Sequence, residues 1–133
     1  MTIAVDFDGT IVEHKYPRIG KEIPFAVETL KSLAAEGNKL ILWTSRDGEL
    51  LEEALAFCRE RGLEFYAVNS NYPPGALFTQ KAGRSCKVVA DLYIDDRNVG
   101  GLPDWGTIYE IVTGVREEKH KARSRSRFKL FRR

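Results

Sequence analysis

Short apolar runs alternate along this chain with segments whose apolar residues recur at helical spacing. Strands that alternate with helices of this length indicate βαβ units, and therefore a parallel sheet with right-handed crossovers. The predicted strands are residues 2–6, 39–44, 64–69 and 92–95. One predicted helix begins at Phe25 and is stopped by Gly37-Asn38, and the other runs from Glu49 to Arg61 and is ended by Gly62. Residues 106–112 fit a last strand or a short helix equally well. The pattern predicts an α/β fold, a single Rossmann-like domain of three layers with a central parallel sheet.

The size and composition of the chain suit one globular domain. It has 133 residues, of which 43% are hydrophobic. Cys58 and Cys86 lie far apart without metal-ligand spacing, which favours free thiols in a reducing compartment. The chain opens without a signal-peptide pattern, and no apolar run approaches the roughly 20 residues of a membrane span. We therefore expect a soluble, cytoplasmic protein without a transmembrane segment.

Charge is distributed unevenly along the chain. The net charge of +2 is the sum of −5 for residues 1–115 and +7 for residues 116–133. This division predicts a folded domain over residues 1–115, followed by a basic, flexible tail over 116–133. Such a tail could contact the phosphates of a nucleic acid or an anionic membrane surface, but a solubilising tail explains it as well.

Polar side chains follow the predicted strands where those strands end. In an open parallel sheet, ligands bind outside the carboxyl ends of the strands, so these side chains should meet at one edge. Clustered carboxylates raise one another's pKa unless a cation lies among them, and hard oxygen ligands favour Mg²⁺. The polar residues at these positions are Asp6, Asp8, Thr44, Ser45, Arg46, Asn69, Ser70, Asn71, Asp95 and Asp96. The sequence therefore predicts a magnesium site at this edge.

Four motifs, in order along the chain, resemble those of the haloacid dehalogenase superfamily of phosphatases, in its small type without a cap. Residues 6–10, Asp-Phe-Asp-Gly-Thr, look like the first signature of that superfamily. Thr44 matches its second motif and Lys87 its third, and Ile94-Asp95-Asp96 matches its fourth. Each motif alone is a weak pattern, but four in the right order on the right elements are specific.

The resemblance implies a hydrolase that cleaves phosphomonoesters through an aspartyl phosphate. Asp6 would be the nucleophile. Asp8 would protonate the leaving oxygen and then activate the water that hydrolyses the intermediate. Thr44 would bind a phosphoryl oxygen through its hydroxyl group, and Lys87 would neutralise negative charge. The implied activity is therefore that of a phosphatase.

The resemblance also implies a Mg²⁺ cofactor. Asp6 and Asp96 would hold the metal together with the backbone carbonyl of Asp8. Asp95 would hold it through a water molecule or orient the lysine. Positioning and charge stabilisation by such a cation dominate phosphoryl transfer.

The remaining site assignments have simpler competing explanations. Gly9 would let the chain turn away sharply beside the substrate. Ser45 and Arg46 are candidates for substrate contact, although a surface ion pair explains Arg46 equally well. Lys81 and Arg84 compete with the third-motif lysine as the phosphate-neutralising cation.

Many members of that superfamily carry a cap domain at one of two insertion points, and neither is long enough for an independent domain in this chain. The two places where related proteins carry one offer only residues 11–24 and 70–86. We therefore expect an open site for a phosphorylated substrate, either a small molecule or an exposed phosphate on a macromolecule. An open site also suits a homo-oligomer in which a neighbouring copy covers it.

Two alternatives of a different class remain open. One is a non-catalytic phospho-acceptor or phosphate-binding module like a response-regulator receiver domain, and the other is a nucleic-acid-binding protein with a structural Mg²⁺ site. In receivers, however, the acidic pair ends the first strand and the phosphorylated aspartate ends a middle one. Here an Asp-x-Asp pattern ends the first strand, which disfavours the receiver.

Overall fold

The computed structural model describes residues 1–76 and 85–131. They form two compact units, Met1–Leu102 and Pro103–Arg133. The first unit contains β1 (Thr2–Val5), α1 (Ala26–Ala35), β2 (Lys39–Leu42), α2 (Gly48–Glu60), β3 (Ala67–Val68) and β4 (Leu92–Ile94), and the second contains α3 (Trp105–Leu130).

The four strands form one parallel sheet in the order β3-β2-β1-β4. β1 is central and pairs with two neighbours, Val5 standing opposite Leu42 on one side and Ile94 on the other. Because both faces of a central parallel strand are covered, its residues are apolar without alternation. Ile3 and Val5 on one face of β1 and Ala4 on the other are all buried. The α/β class with a parallel Rossmann-like sheet is thus confirmed.

Both helices of the first unit end at a glycine, as the sequence predicts. Gly37 and Gly62 have φ angles of +91° and +75°, a region that favours glycine. In each case the residue after the glycine donates its backbone N–H back into the helix, Asn38 to Leu33 and Leu63 to Cys58. These endings turn the chain into β2 and toward β3.

The chain between β1 and α1 forms a small flap, residues 7–23, rather than a domain. Val12 bridges both Asp8 and Glu22, and the Glu13 N–H donates to the Lys21 carbonyl oxygen over 2.7 Å. Arg61, at the end of α2, donates to the Glu22 carboxylate over 3.0 Å. Of the described residues between β3 and β4, none lies in a helix or strand. The flap includes most of residues 11–24, the first place considered for a cap domain, and its small size agrees with the prediction that this segment is too short for one.

The second unit differs from the sequence prediction. Residues 106–112 are helical, which is one of the two alternatives that the sequence leaves open, whereas residues 116–130, for which the sequence predicts a flexible tail, continue the same helix. The predicted domain boundary after residue 115 falls inside α3. Its Asp104 side chain caps the helix by accepting from the Thr107 N–H, and lysine and arginine are strong helix formers. None of the helices in the described residues has an apolar stretch fit to cross a bilayer.

Candidate active site

The carboxyl ends of β1, β2 and β4 meet at one cleft of about 620 Å³. Ladder hydrogen bonds continue one residue beyond the strands: the Asp6 N–H donates to the Ile94 carbonyl oxygen, and the Trp43 N–H to that of Val5. These bonds hold the residues after each strand in register. The cleft is lined by Asp6, Asp8, His14, Tyr16, Trp43, Thr44, Ser45, Asp95 and Arg97.

Three carboxylates form an acidic cluster at this edge, which we define as Asp6, Asp95 and Asp96. One oxygen from each lies within 4.8 Å of the others. The pKa of Asp6 is raised to about 7, mainly by burial and also by its interactions with Asp95 and Asp96, against a backbone hydrogen bond from Phe7 that lowers it. A cluster of hard oxygen donors with excess negative charge fits a divalent cation such as Mg²⁺. The donor set thus suits the metal that the sequence predicts.

Thr10 and Gly9 lie against the carboxylates of the acidic cluster. Sequence reasoning missed Thr10. Its buried hydroxyl lies 3.3 Å from an oxygen of Asp6 and 3.4 Å from one of Asp96, and it accepts from the Asp96 N–H over 3.1 Å. A Cβ on Gly9 would lie 2.2 Å from Asp96 Oδ2, and its φ is +83°. Gly9 therefore makes room for the carboxylate. The threonine of the first signature was the signal available for Thr10.

Asp8 lies beside the acidic cluster but outside it, held by Arg46. The Arg46 Nε donates to Asp8 Oδ2 over 2.7 Å and its Nη2 to Oδ1 over 2.8 Å, a bidentate pair. Arg46 also donates to the carbonyl oxygens of Leu50 and Arg18. The hydrogen bond and charge of Asp8 raise the pKa of Arg46 further above its usual range, against its burial.

Arg46 is therefore buried beneath the cleft rather than exposed at its surface. Its side chain is 0% exposed, and its guanidinium carbon lies 5.3 Å from the ring centroids of both Phe7 and Tyr16. The two explanations offered by the sequence, substrate contact and a surface ion pair, both place Arg46 at the surface. The structure replaces them with a buried ion pair that joins Asp8 and Arg18 of the flap to the start of α2.

Thr44 and Ser45 line the cleft directly after β2. The Thr44 N–H donates to the Asn69 side-chain oxygen over 2.9 Å, and the Thr44 hydroxyl accepts from the Arg46 N–H over 3.1 Å. A hydroxyl that accepts one bond still has its own proton to donate. Ser45 is exposed at the cleft wall. Both positions suit the roles that the sequence predicts, which stay predictions.

Among the residues that the structure describes, the cationic residue that lines the cleft is Arg97, and not the predicted Lys87. Lys87 is exposed, is not among the residues that line the cleft, and places its ammonium 4.9 Å from the Tyr93 ring centroid. Arg97, two residues after Asp95, does line the cleft, and its Nη2 lies 3.5 Å from His14 Nε2. Sequence reasoning missed both residues, although Arg97 directly follows the acidic pair. Lys81 and Arg84 lie outside the described residues.

Comparisons with known proteins give one informative relative. The chain matches no protein-family model and no curated protein. It is similar to a solved structure, that of the conserved protein coded by a locus from Bacteroides thetaiotaomicron. The two share 66% sequence identity with a TM-score of 0.79, over 86% of this chain and 90% of the other. The chain belongs to the same family as that conserved Bacteroides thetaiotaomicron protein.

Proposed function

We propose that this protein is a magnesium-dependent phosphomonoester hydrolase of the haloacid dehalogenase superfamily that acts through a phospho-aspartate. The observation that carries the proposal is the acidic cluster at the end of the central strand, with Asp6 facing the same cleft as Thr44. A nucleophile, a metal site and a hydroxyl donor thus lie together at the ligand-binding edge of a parallel sheet.

The acidic cluster would hold the metal. Mg²⁺ bound there would neutralise the carboxylates and the phosphoryl oxygens. Ionised Asp6 is then the attacking group, and its oxygen forms a bond to phosphorus while the ester oxygen departs. The hydroxyl of Thr44 donates to a phosphoryl oxygen and orients the group for in-line attack.

Asp8 is the proton carrier in this proposal. It gives a proton to the departing oxygen, and in the second half it takes one from the water that attacks phosphorus and releases Asp6. A carboxylate has about four lone-pair sites, of which the Arg46 pair uses two, so Asp8 retains a site for the proton. The bidentate pair keeps that carboxylate in one orientation while it does so.

Arg97 takes the charge-neutralising role that the resemblance assigns to Lys87. It lines the cleft next to Asp95, whereas Lys87 lies over the Tyr93 ring. A guanidinium group binds phosphate in a bidentate manner and stays charged at all physiological pH values.

We propose a cytoplasmic location as well, because Cys58 and Cys86 are both free thiols.

The test is hydrolysis of a chromogenic phosphomonoester with Mg²⁺ and with a chelator, in the native chain and in Asp6→Asn. The matched control is Asp91→Asn, because Asp91 precedes β4 at the opposite end of the same sheet and accepts from the Thr2 N–H. We expect turnover that needs Mg²⁺, is lost in Asp6→Asn and persists in Asp91→Asn. Activity in Asp6→Asn equal to the native chain would refute the proposal.

A second measurement separates catalysis from phosphate storage. Acid-quenched protein should contain a phosphoryl group that hydroxylamine releases, since acyl phosphates react with hydroxylamine and phosphoserine does not. If the protein loses this phosphoryl group rapidly while turnover continues, the result supports an enzyme. A label that persists without turnover would instead support a phospho-acceptor module.

A further inference from the structure

The cleft beside Asp6 is bordered by two aromatic side chains from different parts of the chain. Tyr16 comes from the flap, and Trp43 directly follows β2. Tyr16 is 49% exposed, and the Arg46 guanidinium lies 5.3 Å from its ring centroid. Trp43 packs partly against the core cluster under the sheet and is half-buried. Both rings are thus supported by the protein on one side and border a space open to ligand.

The polar groups of the cleft are more numerous than a phosphoryl group requires. Besides Thr44 and Arg97, which face the phosphoryl group in the proposed reaction, the cleft presents the exposed residues Ser45 and His14, both able to donate hydrogen bonds. Their partners would be oxygen or nitrogen atoms of the ester's leaving group. At about 620 Å³, the cleft is also larger than a bare phosphate needs.

A leaving group that fits this lining contains a planar ring and several polar atoms, and it binds near a phosphate. We propose that the substrate contains a nucleoside monophosphate, with its base against Tyr16 and Trp43 and its phosphate at Asp6. This inference rests on the proposed phosphatase activity and names its substrate class. A free nucleotide and the phosphorylated end of a nucleic acid both contain this moiety. A phosphotyrosyl peptide also contains a ring, but its side chain offers no ribose or base atoms to the polar donors.

The first test compares substrates that differ only in the base. A nucleoside 5′-monophosphate and ribose 5-phosphate share the same phosphate and sugar. Stacking of a base on an aromatic side chain corresponds to roughly 5- to 150-fold in affinity. We expect kcat/KM for the nucleotide to exceed that for ribose 5-phosphate by at least about tenfold, mainly through KM. Equal values, or a clear preference for a phosphotyrosyl peptide, would overturn the inference.

The second test removes the ring. Tyr16→Leu should raise KM for the nucleotide about tenfold and leave ribose 5-phosphate within about twofold. Tyr16→Phe retains the ring and should retain the nucleotide preference. Tyr66→Leu is the matched control, since Tyr66 is also an exposed aromatic residue but does not line the cleft. An equal loss for both substrates in Tyr16→Leu would contradict a role in base recognition.

The third measurement separates failure of the substrate class from failure of the activity. Asp6→Asn should bind the nucleoside monophosphate at least about tenfold more tightly than ribose 5-phosphate by calorimetry, and Tyr16→Leu in that background should abolish the difference. Binding without turnover in the native chain would refute the phosphatase and retain nucleotide recognition. Turnover without a preference for the base would refute nucleotide recognition and retain the phosphatase. Comparison with a 5′-phosphorylated oligonucleotide then distinguishes a free nucleotide from a nucleic acid end.

Discussion

The buried pair between Asp8 and Arg46 permits a quantitative prediction about stability. We consider Arg46→Met, which keeps a long apolar side chain but removes the guanidinium. The change leaves the Asp8 carboxylate, whose side chain is only 10% exposed, without its two charged donors. It also removes the donor to the carbonyl oxygens of Leu50 and Arg18. The flap and the start of α2 should therefore lose a shared anchor.

The expected loss in the free energy of unfolding is about 3 kcal/mol. Removal of one partner of a buried ion pair costs about 3–5 kcal/mol, and the residual exposure of Asp8 argues for the lower end. For a chain of this size, that loss lowers Tm by about 10 °C. In an Asp8→Asn background there is no stranded carboxylate, so the same change should cost only about 1 kcal/mol. The coupling energy between the two residues is then about 2 kcal/mol.

The assay is urea unfolding of the native chain, both single variants and the double variant, at one pH and salt concentration. Arg59→Met serves as the control, because Arg59 is an exposed arginine on α2 and its removal should change stability by at most about 0.5 kcal/mol. A coupling energy below about 0.5 kcal/mol would show that the pair does not act as the anchor inferred from its geometry.

Three further predictions follow from individual positions. Gly9→Ala should abolish the stabilisation by Mg²⁺ in thermal unfolding, because its Cβ would lie 2.2 Å from a carboxylate oxygen of the acidic cluster. Gly37→Ala, where nothing lies within 4 Å, should cost only about 1 kcal/mol of backbone strain and retain the Mg²⁺ effect. The pKa of Asp6 is raised from 3.8 to about 7 in the folded protein. Without a metal, the protonated form of Asp6 is therefore the one that stabilises the fold, and this stabilisation is lost as the pH rises from 3.8 to about 7. Mg²⁺ bound at the proposed site would take the place of the proton, so it should raise Tm more at about pH 8 than at about pH 5.5. An equal rise at both pH values would contradict the proposed site. Burial raises the pKa of Cys58 to about 12, so a thiol reagent should label Cys86 alone in the native chain and both cysteines in urea.

The sequence alone predicted the elements and the edge at which the polar residues meet. Apolar runs and terminal glycines are local signals, and they placed β1, β2 and both crossover helices within about two residues of their bounds. The convergence of Asp6, Thr44 and Asp95 required only the knowledge that the ends of parallel strands share an edge. These features depend on periodicity and topology, which neighbouring residues determine.

Helix propensity alone indicates α3, whereas the charge of the segment favours a flexible tail. Residues 116–130 contain lysine, arginine, glutamate and alanine, all good helix formers, and no proline follows Pro103. The concentration of positive charge predicts a flexible tail there instead. The capping aspartate Asp104, with Thr107 three residues later, marks the start of the helix.

Side-chain partners across the fold were decided only by the tertiary structure. Asp8 and Arg46 lie 38 residues apart, and no spacing rule indicates that one would bury itself against the other. Likewise, the order of the motifs predicts Lys87 at the site. In the structure, the Lys87 ammonium lies over the Tyr93 ring, and Arg97, in the turn after β4, lines the cleft instead. Strand patterns determine where backbone ends meet. The direction of a long side chain depends on packing against residues distant in sequence, which only the folded chain specifies.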